Sequence, residues 1–188
     1  MMEKKKVGVL VGSLRRGSYS RSIARAAAAL APEKLELHFI DISQLPLYNE
    51  DLDDNPPEAW VDFRRQLSQM DGFLFVTPEY NRSIPAALKN ALDVGSRPFV
   101  SSVWDGKPGG IISVSPGSMG GFGSNHQLRQ VMMALNVPML QQPEAYIKNV
   151  ARLLDEQGEL TDESTRRFLK RYMDAFSKWV EKITCCGE

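Results

Sequence analysis

An apolar run, Val7 to Val11, passes straight into Gly12-Ser13-Leu14-Arg15-Arg16-Gly17-Ser18-Tyr19-Ser20, and a helical pattern opens near Ser20 or Arg21. This strand–loop–helix turn constrains the chain more than any other stretch. A helix N-terminus offers unpaired N–H groups and the positive end of the dipole. Glycines let backbone come close, while Ser hydroxyls and Arg add donors. The turn is built to hold a phosphate. Read as structure alone, it is a tight turn capped by Ser20 with solvated arginines, but it carries more donors than a turn needs.

Two better-known phosphate loops do not fit. Gly12 to Ser18 has Walker A glycine spacing, but Arg16 precedes Gly17 and Ser18 follows it, so the Lys is missing. A dinucleotide fingerprint needs G-x-G-x-x-G, and Ser13 and Leu14 follow Gly12.

The rest of the chain alternates between two periodicities. Val7–Val11, Gly72–Val76 and Gly110–Val114 are short apolar runs, as in strands buried on both faces. Leu35, Leu37 and Phe39 alternate, which predicts a strand over 35–41 with His38 on its solvent side. Met139 to Ile147 reads as a fifth, less regular strand broken by Pro143. Helical stripes run over 21–30, through Trp60, Phe63, Leu67 and Met70, from Pro85 to Gly95, and through Leu128, Val131, Met132 and Leu135. Phe168, Tyr172, Phe176 and Val180 mark a last helix, expected to pack across the sheet. Loops fill 45–57, 77–83, 97–107 and 115–123. The pattern predicts one α/β domain over 1–188. It is a flavodoxin-like, doubly wound parallel sheet of five strands in the order 2-1-3-4-5, with helices on both faces.

In such a sheet, ligands bind beyond the carboxyl ends of the strands, where the strand order switches. Three loops converge there: Gly12–Ser20, Thr77–Ser83 and Ser115–Gly123. The first suits a phosphate. The second brings Tyr80 beside Asn81, and the third lets backbone approach a planar ligand. One phosphate site and two ring-sized loops suggest a mononucleotide with a large ring, and FMN fits.

These residues carry a resemblance. Gly12-Ser13-Leu14-Arg15…Ser18, Pro78-Glu79-Tyr80-Asn81, Ser83-Ile84-Pro85 and Leu88-Lys89-Asn90-Ala91 resemble the NADPH-dependent FMN reductase family, and its chromate and quinone reductase branch in particular. The resemblance implies non-covalent FMN, reduced by NADPH or NADH and reoxidised by quinones, free flavin, azo dyes or metal oxyanions such as chromate. It assigns Ser13, Arg15, Ser18, Ser20 and Arg21 to the phosphate side. It places Pro78, Glu79, Tyr80 and Asn81 along the ring edge, with Ser115 and Gly117 completing the ring site. The family often has Asn where this chain has Ser20. Arg15, Arg16 and Arg82 are candidates for the NADPH 2′-phosphate. Glu79 is expected to orient its loop, with proton transfer as its other reading.

Composition narrows the alternatives. Hydrophobic residues make up 43% and charged residues 24%, an ordinary globular balance. A net charge of +0 argues against a nucleic-acid binder and against a strongly acidic electron shuttle that docks by charge. A phosphohydrolase would need a nucleophile or metal ligands near the first loop, and that loop holds no Cys or Asp. No apolar run is long enough to span a membrane, and the expectation is a cytoplasmic protein. Cys185 and Cys186 are adjacent, close no useful loop, and read as a frayed tail. His126 reads as a solvent or capping residue early in its helix.

A homodimer or a pair of dimers is also expected. Ile84, Leu88 and Leu92 stripe one side of the 85–95 helix, while Ala87, Ala91 and Val94 make a second side apolar. With Pro98, Phe99, Val100 and Trp104, that second side reads as a surface for another copy of the chain.

Overall fold

The computed structural model describes residues 4–185. Its five strands are β1 (Lys5–Val11), β2 (Leu35–Ile40), β3 (Gly72–Pro78), β4 (Gly109–Val114) and β5 (Ala145–Ile147). Among the described residues, five α-helices accompany them: α1 (Tyr19–Ala29), α2 (Glu58–Ser68), α3 (Ala86–Gly95), α4 (Phe122–Ala134) and α5 (Glu163–Cys185). The strands form one sheet in the order β2-β1-β3-β4-β5, and every pairing is parallel. This is the flavodoxin-like order that the alternation of strand and helix predicted.

Parallel strands must be covered on both faces, so each apolar run serves two cores. Val7, Val9, Leu74, Val76 and Ile112 pack against α1 and α5. Leu10, Phe73, Phe75 and Ile111 pack against α2, α3 and α4. Helix α5 crosses its face on Tyr172, Phe176 and Val180, all essentially buried. The Tyr172 hydroxyl donates to the Ile111 carbonyl at 2.9 Å, so the one polar atom of that stripe is satisfied. Gly110 makes room for the crossing, since a Cβ there would stand 2.8 Å from Tyr172 Oη.

Several expectations change in detail. Phe39 does not continue the buried alternation of β2: it is 45% exposed, whereas Ile40 and Ile42 are buried. β2 is an edge strand, and Phe39 near its end is left open to solvent. His38 is half-buried and sits 3.1 Å from Glu36. The fifth strand shrinks to Ala145–Ile147, and only a bridge at Met139 to Gly109 survives of its first half. Pro143 lacks the N–H that continued pairing would need.

The surface expected for a second chain is largely interior. Ala91, Val94 and Trp104 are fully buried in the α2–α3–α4 core. Helix α3 is apolar over most of its circumference because its own chain surrounds it. Asn90, one of the polar residues of this helix, is buried too. Its side chain accepts from Tyr48 N–H at 2.7 Å and donates to the Pro46 carbonyl at 3.0 Å, clamping the 45–57 loop. Phe99 and Val100 do remain outside, 78% and 96% exposed. Cys185 is exposed at the end of α5, and Cys186 lies outside the described residues.

Candidate functional site

Gly12 closes β1, and its N–H donates to the Val76 carbonyl at 2.9 Å. A Cβ there would meet Thr77 Oγ1 at 3.1 Å and Leu88 at 3.2 Å, so close packing accounts for this glycine. Helix α1 begins earlier than its periodicity suggested, and Ser18 is the cap. Its backbone is extended and its Oγ accepts from Arg21 N–H at 3.2 Å. That corrects the assignment of the cap to Ser20, which lies inside the first turn. Ser13, Ser18 and Ser20 are all buried. Arg15 donates to the Gly17 carbonyl and lies over the Tyr19 ring, 4.9 Å from its centroid.

The second loop is a tight turn. Tyr80 and Ser83 exchange backbone hydrogen bonds of 3.0 and 2.9 Å. Asn81 and Arg82 between them have φ of 52° and 64°, as a two-residue I′ turn requires. Asn adopts this region readily; Arg does so at some cost. The Glu79 carboxylate ties the turn to α4 by accepting from Ser124 N–H at 3.2 Å, and it also accepts from Arg82 at 3.2 Å. Ser83 donates to Gln127 from the other side. This is the orienting role expected of Glu79. Its carboxylate also sits at the positive end of α4. Glu79→Ala should cost about 1–3 kcal/mol, the usual penalty for stripping a hydrogen-bonded charge from a mostly buried position. Urea unfolding would check it, and a loss below about 0.5 kcal/mol, the low end of the net worth of one hydrogen bond, would contradict the strut.

The third loop hangs from a buried polar chain. Arg129 donates to Asn125 Oδ1 at 3.1 Å, and Asn125 donates to Ser113 Oγ at 3.3 Å. Ser113 donates to the Gly120 carbonyl at 2.8 Å. Gly120 and Gly121 have φ of 60° and 77°, in the left-handed region that favours glycine. Tyr146 backs Gly120 and would meet any side chain placed there at 2.9 Å. Burial and Glu144 push the Tyr146 hydroxyl up to about 12, so it stays a neutral donor. His126 lies early in α4, exposed as expected, with Nε2 3.0 Å from Tyr146 Oη; it caps nothing.

These loops enclose a cavity of about 250 Å³ at the carboxyl edge of the sheet. Ser13, Arg15, Ser18 and Ser20 line one end; Pro78, Glu79, Tyr80 and Ser115 line the other. Arg21, Asn81 and Gly117 are not on its wall. Arg21 turns to a neighbouring cleft, and Asn81 forms the tip of its turn. Gly117 instead supports its loop, its N–H donating to Ser115 Oγ at 3.0 Å. Tyr19, Val114 and Pro116 complete the wall. Of these, Tyr19 was legible as an aromatic between two site serines. The donor set fits a phosphate: hydroxyls and a guanidinium at a helix N-terminus, with no carboxylate at that end.

The profile of the NADPH-dependent FMN reductase family matches residues 5–152. The chain belongs to this family. As a member it is an oxidoreductase that uses FMN and NAD(P)H. It is 53% identical over 176 residues to a quinone reductase of Pseudomonas putida, covering 93% of this chain and 94% of the relative. A 2-hydroxy-1,4-benzoquinone reductase from a Burkholderia species is 46% identical over 175 residues, 93% of this chain and 96% of that one. The structure resembles FerB, a flavoenzyme NAD(P)H:(acceptor) oxidoreductase of Paracoccus denitrificans. The TM-score is 0.88 at 39% identity, covering 95% of this reductase and 98% of FerB.

Proposed function

We propose that this reductase holds FMN in the cavity between its three loops and passes electrons from NAD(P)H to quinones. The observation that carries the reading is the cavity itself. Ser13, Ser18, Ser20 and Arg15 gather at one end, and Tyr80 and Ser115 help line the other. Arg15 and the serines would hold the phosphate. Pro78 to Asn81 and the Ser115–Gly117 segment would flank the ring, with Tyr80, 54% exposed, beside the open side. FMN, when bound, supplies the chemistry of accepting a hydride and returning two electrons. The chain positions donor and acceptor in turn at one open side, which gives ping-pong kinetics.

The quinone reductase relatives support quinones as acceptors. Free flavin, azo dyes and chromate are further acceptors on the same reasoning, since an open site selects by shape. The cytoplasm, which supplies NAD(P)H, is the proposed location. The absorption spectrum of the purified protein, followed by mixing with NADPH, NADH and benzoquinone, tests the reading. FMN released on denaturation and NAD(P)H-dependent quinone loss are expected. Bound FAD, or no NAD(P)H oxidation, would overturn it.

The working form is proposed to be a homodimer or a pair of dimers. Buried Ala91 and Val94 no longer support it, but Phe99 and Val100 do. Arg97 lies 5.8 Å from both the Phe99 and Tyr48 rings, which joins these side chains to the 45–57 loop. Light scattering should show a species larger than a monomer, and Phe99→Glu should shrink it. A wild-type monomer at micromolar concentration rules the proposal out.

A further inference from the structure

Beside the cavity, across the first loop, lies a second and larger cleft of about 550 Å³. It opens beyond the carboxyl ends of β1 and β2, between the start of α1 and the segment Asp41–Ser43. Arg15 lines both spaces, so they meet over the loop. We infer that this cleft takes the adenosine 2′-phosphate end of NADPH. The inference rests on the proposed function for its donor and adds the part of the protein that recognises it.

Three features of the cleft point to that ligand. The first is charge. Arg15, Arg16 and Arg21 line it against one acid, Asp41, in a chain whose net charge is +0. Arg15 is committed to the Gly17 carbonyl and the Tyr19 ring. Arg82, the other sequence candidate, is held by Glu79 on the far side of the cavity. Among the described residues, Arg16 and Arg21 have no side-chain hydrogen bond or ion pair. Two free guanidiniums at the mouth of a cleft suit a doubly charged phosphate.

The second feature is apolar. Phe39 and Leu14, 45% and 52% exposed, stand on the walls. Phe39 departs from the buried alternation of β2 at the position where it reaches the cleft. An exposed aromatic beside guanidiniums offers a stacking face to a purine. The third is the end of β2. Asp41 accepts from Ser43 N–H at 2.9 Å and from Ser43 Oγ at 3.0 Å. A carboxylate at the end of a second strand reads a free ribose 2′-hydroxyl in dinucleotide folds, and a nearby Arg admits the 2′-phosphate. Here the carboxylate is turned onto its own chain, and the arginines are the free groups. That arrangement favours NADPH over NADH.

The test uses the FMN-loaded protein and two probes. By calorimetry, 2′,5′-ADP should bind at least about tenfold more tightly than 5′-AMP, the lower end of what a charge-assisted contact gives. Arg16→Gln should narrow that gap, and Phe39→Ser should weaken both nucleotides. In turnover, Arg16→Gln should raise KM for NADPH about tenfold at unchanged kcat. KM for reduced nicotinamide mononucleotide, which lacks the adenylate, should stay the same. Equal binding of the two nucleotides, or no binding, overturns the inference. So does a rise in both KM values, no rise in either, or loss of FMN from the variant. If wild type oxidises neither donor, the proposed function fails, while 2′,5′-ADP binding still reads the cleft on its own.

Discussion

Arg15→Ala is expected to weaken FMN binding by about 1.5–3 kcal/mol, roughly ten- to 150-fold. Arg15 is the one formal charge on the end of the cavity proposed for the phosphate, beside three buried serines. Its guanidinium is already ordered by the Gly17 carbonyl and the Tyr19 ring, so little side-chain freedom remains to be lost on binding. Arg15→Lys should recover only part of the loss, because an ammonium keeps the charge and loses the planar fork. Fluorescence titration of apoprotein with FMN reads both variants. Unchanged affinity in Arg15→Ala would show that the phosphate sits elsewhere.

Trp104→Ala should destabilise the fold by about 3–5 kcal/mol, the range for deleting a fully buried large aromatic. Trp104 meets Phe73 edge-on, with centroids 4.7 Å apart at 68°, and its Nε1–H donates to the Leu92 carbonyl at 2.9 Å. The long 97–107 connection is thereby fastened beneath α3. Gly95 is fitted to it: a Cβ there would lie 2.6 Å from the indole. Gly95→Ala should therefore also destabilise, by about 1–3 kcal/mol, from overpacking. Urea unfolding of both variants checks this, and a loss under about 1 kcal/mol for Trp104→Ala would contradict the burial.

The sheet was legible because buried parallel strands are continuous apolar runs. Val7–Val11 and Gly72–Val76 need no partner to be recognised. The candidate cavity was legible because three loops follow β1, β3 and β4 on the carboxyl side of the strand-order switch. What stayed hidden concerns coverage. Periodicity shows which side chains are apolar, not which neighbour covers them. Ala91 and Val94 therefore looked like a surface for another chain, although Trp104 and its loop return to cover that core. The burial of Asn90 was not legible, because nothing local marks the carbonyls of Leu45 and Pro46 that it holds. Phe39 looked buried because an alternation shows which side chains share a face, not which of them that face leaves open. Ser18 and Ser20 both qualify as caps by residue type, and only backbone geometry separates them.

The turn that carries Tyr80 is fastened at both ends, by Glu79 to Ser124 and by Ser83 to Gln127. It therefore acts as a fixed lip and not as a swinging gate. An enzyme with a fixed lip needs no closing motion around each new acceptor, so a bulky molecule and a small one meet the same edge. Under the proposed function, tolerance toward acceptors would come from rigidity in the protein, and discrimination would fall to whichever molecules can lie flat against that edge.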